Sequence, residues 1–318
     1  IRVKRYSRKL FKFSVLSLLF LLTIGYVLFK SSWVQTYVSQ RLSAYLSKKT
    51  NTNITVGQVD FRPFETFVLN DLLILDHHQD TLLYSHDFYF VINDYDLEKN
   101  TYQFDLIELN ESFLNIKTYA NESESNLNQF LNKLSSDTSK AKLPTLNIYV
   151  EDIALEDIRL NRWDYNSLPK PKVIDLQRLK LTNINMDAND FVFKKDLIGL
   201  NTEFLTFKER SGFELLGMQG RLLMDQKSMV LKYFEFETNQ SDINGDIGLE
   251  YDGFESFSNF LTEVRFDTYF EETTVSSKDI AYFTSAFEGL NRKITFQGGI
   301  KGSIDQLDAQ NLKFAFGD

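Results

Sequence analysis

Apolar and polar residues alternate with a period of two over most of the chain beyond Asn53. In "NITVGQVDF" the apolar positions are Ile54 and Val56, then Val59 and Phe61 after Gly57-Gln58. Phe88, Phe90 and Ile92 share one parity, and Tyr89 and Val91 take the other. Such alternation predicts strands, because successive side chains of a strand point to opposite faces. In "LNIYVEDIALEDIRL" the apolar phase runs Ile148, Val150, then Ile153, Leu155, then Ile158, Leu160. A strand survives each slip only through a bulge or a tight turn, so irregularities are expected at Glu151-Asp152 and Glu156-Asp157. "MDQKS" and "DINGD" read as hairpin turns.

Three stretches switch to helical spacing. From Ser32 to Lys49 the stripe is Val34, Tyr37, Val38, Leu42, Tyr45 and Leu46, an amphipathic helix. "SNLNQFLNKL" aligns Leu127, Phe130, Leu131 and Leu134 ahead of the polar linker "SSDTSKAK". "KDIAYFTSAFEGL" aligns Ile280, Phe283, Phe287 and Leu290, with Gly289 placed to end a helix. The expected fold is mainly β and antiparallel-rich, with β segments over 51–122 and 143–318 and a helix and linker over 123–142. Segments such as "DTLLYSHDFYFVI" and "GFELLGMQGRLLM" are apolar on both parities. A single sheet wetted on one face would alternate more cleanly. Both a two-sheet sandwich and a curled sheet with an apolar inner face fit that density, and pattern alone makes the sandwich the simpler reading.

The first 50 residues change the picture. They carry ten of the 35 basic residues and no acid, leaving 25 basic against 44 acidic residues in the remainder. A basic head on an acidic body speaks against nucleic acid as a partner and for anionic lipid headgroups. Phe13 to Phe29 contains no charge and as a helix spans about 26 Å at ~1.5 Å per residue, near the thickness of a bilayer core. "FKSSWVQ" after it is a poor signal-cleavage site. The expectation is a basic cytoplasmic tail over 1–12, one membrane span over 13–30 and an amphipathic helix over 31–50. The bulk would then lie on the far side of the membrane. The chain starts at an isoleucine and stops inside an apparent strand, so it is expected to be part of a longer protein.

Reactive chemistry is sparse. The chain has no cysteine, so disulfides and thiolate catalysis are absent. No phosphate-binding glycine loop, nucleophile elbow or kinase signature occurs. Two of the three histidines stand in "DHHQDT", a run of turn formers between Leu72–Leu75 and Leu82–Tyr84. Adjacent histidines serve one metal only in a loop, and no third ligand is dictated, so His77-His78 with Asp76 and Asp80 reads as a solvated hairpin tip. No metal, cofactor or catalytic residue is expected.

The arrangement resembles the N-terminal part of the TamB-like members of the AsmA-like family. The resemblance rests on the basic N-terminus, the apolar run, the amphipathic helix and then "LSKKTNTNITVGQVDFRPFETFVLNDLLILDHHQDTLLYSHDFYFVIND". Within that stretch Gly57 sits in an apolar-x-Gly-x-Val unit, and "LNDLLILD" with "DTLLY" matches the strand, turn and strand that follow. "SSKDIAYFTSAFEGLNRKITFQGGIKGSID" resembles the family's helix and Gly-rich strand pair. Asn51 stands where the family often has glycine, and asparagine also tolerates a left-handed helix end. The resemblance implies a long twisted sheet curled into an open apolar trough, which turns the choice away from the sandwich. It further implies a single-pass inner-membrane anchor in a Gram-negative envelope and a periplasmic bridge that carries phospholipid toward the outer membrane. An outer-membrane barrel of the Omp85 type would be met through a C-terminal region beyond this chain. The alternative role is a scaffold for outer-membrane protein assembly. Phe88, Phe90, Ile92, Ile148 and Val150 are the expected groove residues, with the parity open to reversal onto Tyr89, Val91 and Tyr149. Lys30, Arg41, Lys48 and Lys49 are expected near headgroups.

Overall fold

The structure is a computed structural model and describes residues 20, 31–62, 66–96, 98–135, 147–170, 172–194, 197–253, 256 and 260–317. Period-two segments become strands β1 (Ile54–Arg62), β2 (Thr66–Leu75), β3 (Thr81–Asp96), β4 (Thr101–Thr118), β5 (Asn147–Asp164), β6 (Lys180–Lys194) and β7 (Leu197–Glu209). They continue as β8 (Glu214–Asp225), β9 (Ser228–Thr238), β10 (Asp242–Glu250), β11 (Arg265–Ser276), β12 (Lys293–Ser303) and β13 (Asp308–Gly317). All 13 strands form one sheet in chain order. β1 and β13 stand at opposite edges and do not pair, so the sheet is curled and unclosed. A curled single sheet therefore replaces the sandwich. Pairing is antiparallel throughout except between β4 and β5, which run parallel. A parallel step needs a long crossover, and the chain between Thr118 and Asn147, which holds helix α2 (Asn126–Ser135), supplies it.

The phase slips have a common origin. The register sets Gly57, Asp71, His86, Glu111 and Asp157 in one transverse line across β1–β5. Asp71, Glu111 and Asp157 on that line adopt left-handed backbone, with φ of 51°, 46° and 50°. A residue in that conformation absorbs one step of the strand, so the inward face passes from Leu72 to Leu69 on β2 and from Ile158 to Leu155 on β5. Pairing of β5 with β6 shifts between Leu155 and Ile158, the bulge expected at Glu156-Asp157. At Glu151-Asp152 the β5 pairing runs on without a shift. The irregularity there is carried by its neighbour, since Glu151 lies opposite Asp190, whose φ is 54°.

Helix α1 (Ser32–Thr50) closes the edge of the sheet at β1. Ser43 Oγ accepts from the Val56 amide at 2.9 Å, and Ser47 Oγ accepts from the Ile54 amide at 2.9 Å while donating to the Ile54 carbonyl at 3.0 Å. These hydroxyls, one turn apart, satisfy edge groups that would otherwise invite another strand. Asn51 ends the helix with φ 46° and ψ 45°, the left-handed cap expected of it. Val38, Leu42 and Leu46 pack against a core of Ile54, Val56, Val59, Leu69, Leu72, Ile74 and Leu82, joined by Leu127 and Phe130 of α2. Tyr37 and Tyr45, counted on the same stripe, instead face outward at 51% and 63% exposure.

Three expectations are corrected. "DINGD" lies inside β10, where its apolar Ile243 continues the ladder opposite Phe236. "KDIAYFTSAFEGL" forms only the short helix α3 (Ser277–Ala281) and a 3-10 turn at Ser285–Phe287, because Tyr282 and Phe283 are drawn edge-on against the buried ring of Phe213, both at 5.6 Å. Gly289 does take a left-handed conformation, φ 81°. The third is localisation. The apolar run 13–30 lies outside the described residues save Phe20, and among the described residues no helix is long and apolar enough to cross a membrane. Helix α1 has the length, but Gln35, Gln40, Arg41, Lys48, Lys49 and its serines make its transfer into hydrocarbon unfavourable. This finding stands against the single-pass inner-membrane placement with a cytoplasmic N-terminus and a periplasmic bulk, which is not carried further.

Candidate functional site: an apolar groove beneath the first helix

Cross-strand register converts scattered apolar residues into continuous rungs. Val59, Leu69, Phe88, Leu109, Leu155, Met186 and Leu205 are successive partners across β1–β7. Phe193, Ile198, Met224, Met229, Leu249 and Phe266 make a second rung across β6–β11. Directly opposed side chains on one sheet face touch, so each rung is an unbroken apolar band running across the strands.

Where α1 crosses this face, a cavity of about 490 Å³ remains. Its walls are Val38, Leu42 and Leu46 from the helix, with Val59, Phe67, Leu69, Phe88, Phe90, Ile92, Phe104 and Ile107 from the sheet. Every wall residue is apolar. Phe90 is central, stacked on Phe67 at 5.1 Å, tilted against Phe88 at 5.2 Å and edge-on to Phe104 at 6.3 Å. The volume falls within the range of small-molecule sites, roughly 300–1,000 Å³. A larger concavity of about 1000 Å³ lies over β7–β11, but Glu203, Glu235, Glu237, Asp246, Glu271 and Glu272 line it. Those carboxylates would have to be desolvated to hold apolar cargo.

Of the expected groove residues, Phe88, Phe90 and Ile92 line the cavity. Val150 sits one strand beyond, level with Phe104 and only 2% exposed, and Ile148 shares its parity level with Tyr102, but neither reaches the cavity wall. Tyr89, Val91 and Tyr149 take the opposite parity. Lys30 lies outside the described residues. Arg41 rests over the Tyr37 ring at 5.4 Å, and exposed Lys48 and Lys49 occupy the last turn of α1, where cations oppose the helix dipole. None of these three cations enters the cavity wall. Val59, Phe67, Leu69, Phe104 and Ile107 escaped sequence reading, because only the hairpin register reveals that they surround Phe90.

The β2–β3 turn carries the one polar cluster that sequence left incomplete. Asp76, 2% exposed, accepts from the amides of His78 (2.9 Å) and Asp80 (3.0 Å), the Tyr119 hydroxyl (2.7 Å) and the Asn126 amide (2.9 Å). Burial, the largest single influence, raises the Asp76 carboxyl pKa, but the four hydrogen bonds together outweigh it and hold the group below its ordinary value. Burial first, then the bond to Asp76, push the Tyr119 hydroxyl upward. His77 Nε2 lies 3.0 and 3.1 Å from the two oxygens of Glu122, and His78 Nε2 lies 2.8 Å from one of them. Hydrogen bonds from His78 and His77 lower Glu122 to about 2. The hairpin tip was foreseen; Glu122, 44 residues downstream of His78, was not.

No family model matches the chain, and neither the curated proteins nor the solved structures include a match to it.

Proposed function

We propose that the apolar face of the sheet binds lipid acyl chains and passes phospholipid along its rungs, with the cavity beneath α1 as one station. The observation that carries this reading is a cavity walled only by apolar side chains that shares Val59, Leu69 and Phe88 with an apolar band across β1–β7 of a curled, unclosed sheet. Phe88, Phe90 and Ile92 are the contact residues. Exposed Arg41, Lys48 and Lys49 of the same helix are assigned to the phosphate headgroup. No residue reacts, so the protein acts as a carrier and not as an enzyme. Each shielded methylene contributes ~0.8 kcal/mol, so about eight of them contribute ~6 kcal/mol. Association itself costs ~4–15 kcal/mol, which leaves binding at one station weak and reversible, as a moving cargo requires.

The test is mass spectrometry of the purified chain under native conditions, with extraction and identification of bound lipid. Co-purifying phospholipid that Phe90→Asp removes supports the reading. A lipid-free wild-type chain that also fails to take up a fluorescent phospholipid from vesicles refutes it. A second reading, a scaffold for the assembly of outer-membrane β proteins, is favoured by the outer edge of β13, which pairs with β12 alone among the described strands. Crosslinks from β13 to client strands, with a lipid-free groove, would select it.

A further inference from the structure

We propose that His77, His78 and Glu122 form a binding site for one divalent transition-metal ion, zinc by preference. The three donor groups already converge. One ligand atom from each of the three side chains lies within 4.8 Å of the other two. Tetrahedral zinc with bonds of about 2.0–2.2 Å requires donors roughly 3.3–3.5 Å apart. Measured to the single oxygen Oε1 of Glu122, His77 Nε2 at 3.1 Å and His78 Nε2 at 2.8 Å need to open by roughly 0.2–0.7 Å to admit an ion. Each ring would present a neutral Nε2 lone pair with its proton on Nδ1.

The surroundings are built in the way a metal site is supported. Asp76 clamps the turn that carries both histidines through the amides of His78 and Asp80. Gln129 Nε2 donates to Glu122 Oε2 at 2.9 Å and orients the carboxylate. Glu122 is also fixed by its backbone, whose amide donates to the Tyr119 carbonyl at 3.0 Å and whose carbonyl accepts from Asn166 Nδ2 at 3.0 Å. The Tyr119 ring lies 3.9 Å from that of His78 and limits its rotation. Other nearby carboxylates are committed elsewhere. Asp76 uses both oxygens in its four bonds, and Asp80 pairs with Lys117 and caps the Thr81 amide. The protein therefore offers three ligands, and with His78 47% exposed, water completes the shell. Two imidazoles and one carboxylate favour zinc or copper over magnesium and calcium. The ion would tie the β2–β3 turn to the segment after β4, and through Gln129 to α2.

The experiment titrates the full chain with Zn²⁺ by calorimetry and with Co²⁺ by visible absorption, alongside Glu122→Gln, His78→Gln, Gln129→Ala and His86→Gln. One equivalent of Zn²⁺ and a cobalt spectrum of four-coordinate intensity are expected for the wild type. Glu122→Gln and His78→Gln should each lose at least tenfold in affinity, Gln129→Ala on the order of tenfold, and His86→Gln nothing. Zinc should raise the melting temperature of the wild type but not of Glu122→Gln. Binding well below one equivalent in the wild type overturns the proposal. So does affinity that Glu122→Gln and His78→Gln leave unchanged, or that His86→Gln reduces equally. The wild-type stoichiometry and spectrum decide even where a variant folds poorly.

Discussion

Phe90→Asp separates a cargo surface from a closed core. In a sealed core, truncating a phenylalanine costs about 3–5 kcal/mol, and an unpaired carboxylate adds several more. That sum approaches the whole stability of a domain, about 5–15 kcal/mol. Phe90 is placed differently. Its ring meets Phe67, Phe88 and Phe104, and it borders the cavity of about 490 Å³. Three aromatic pairs at ~0.5–1.5 kcal/mol each give a loss of roughly 2–4 kcal/mol. The new carboxylate can draw water into the cavity and so escapes most of the desolvation penalty. Leu72→Asp supplies the closed-core comparison, since Leu72 is 4% exposed and belongs to the packed cluster. Urea denaturation should show Phe90→Asp folded with a lowered midpoint and Leu72→Asp largely unfolded without denaturant. Tyr89→Asp, on the opposite face, should be folded and retain binding of a fluorescent acyl probe, while Phe90→Asp loses it. If Phe90→Asp unfolds as completely as Leu72→Asp, the cavity wall is core and the carrier reading falls.

Three further outcomes are expected. Asp76→Ala strands the Tyr119 hydroxyl, the Asn126 amide and two backbone amides, and should cost about 3–5 kcal/mol by urea denaturation; a loss below about 1 kcal/mol would contradict the clamp. Ser43→Ala with Ser47→Ala should cost about 1–3 kcal/mol and increase self-association in ultracentrifugation, because the β1 edge loses its hydroxyl partners; an unchanged sedimentation profile counts against edge protection. The hydrogen bond to Asp71, then the charge of Asp87, raise the His86 pKa, so its stabilising contribution is complete below the ordinary value of 6.5 and is lost as pH rises through the folded value. Asp71 is lowered by Tyr84 and then His86, so its own contribution persists above its ordinary 3.8. The melting difference between wild type and His86→Gln should therefore be largest below pH 6.5 and shrink as the pH is raised above it; a difference that does not fall with rising pH would refute the pairing.

What was legible in the chain, and what was not, divides along the distance over which each feature is encoded. Period-two alternation is local, so most strands could be read directly, as could the left-handed end at Asn51 and the bulge at Asp157. "DINGD" misled because Asn-Gly is a turn signal only when its flanks lack partners, and here Phe236 and Tyr269 pair with Ile243 and Asp246 on either side. "KDIAYFTSAFEGL" misled because helical spacing alone cannot weigh a short helix against the Phe213 ring. The five sheet residues of the groove wall that sequence missed depend on register. Phe67 reaches Phe90 because the β2–β3 hairpin pairs them, and Ile107 joins because β4 pairs in turn with β3. Glu122 depends on one step more, since it lies past the end of β4, in the turn that begins at Tyr119. Its meeting with His77 and His78 is set by three strands in fixed register, and no spacing within any one of them announces it. The same dependence explains why a sheet can hide a groove in plain alternation. Each strand specifies which of its residues share a face, but only the accumulated register of its neighbours decides whether those faces align into a path.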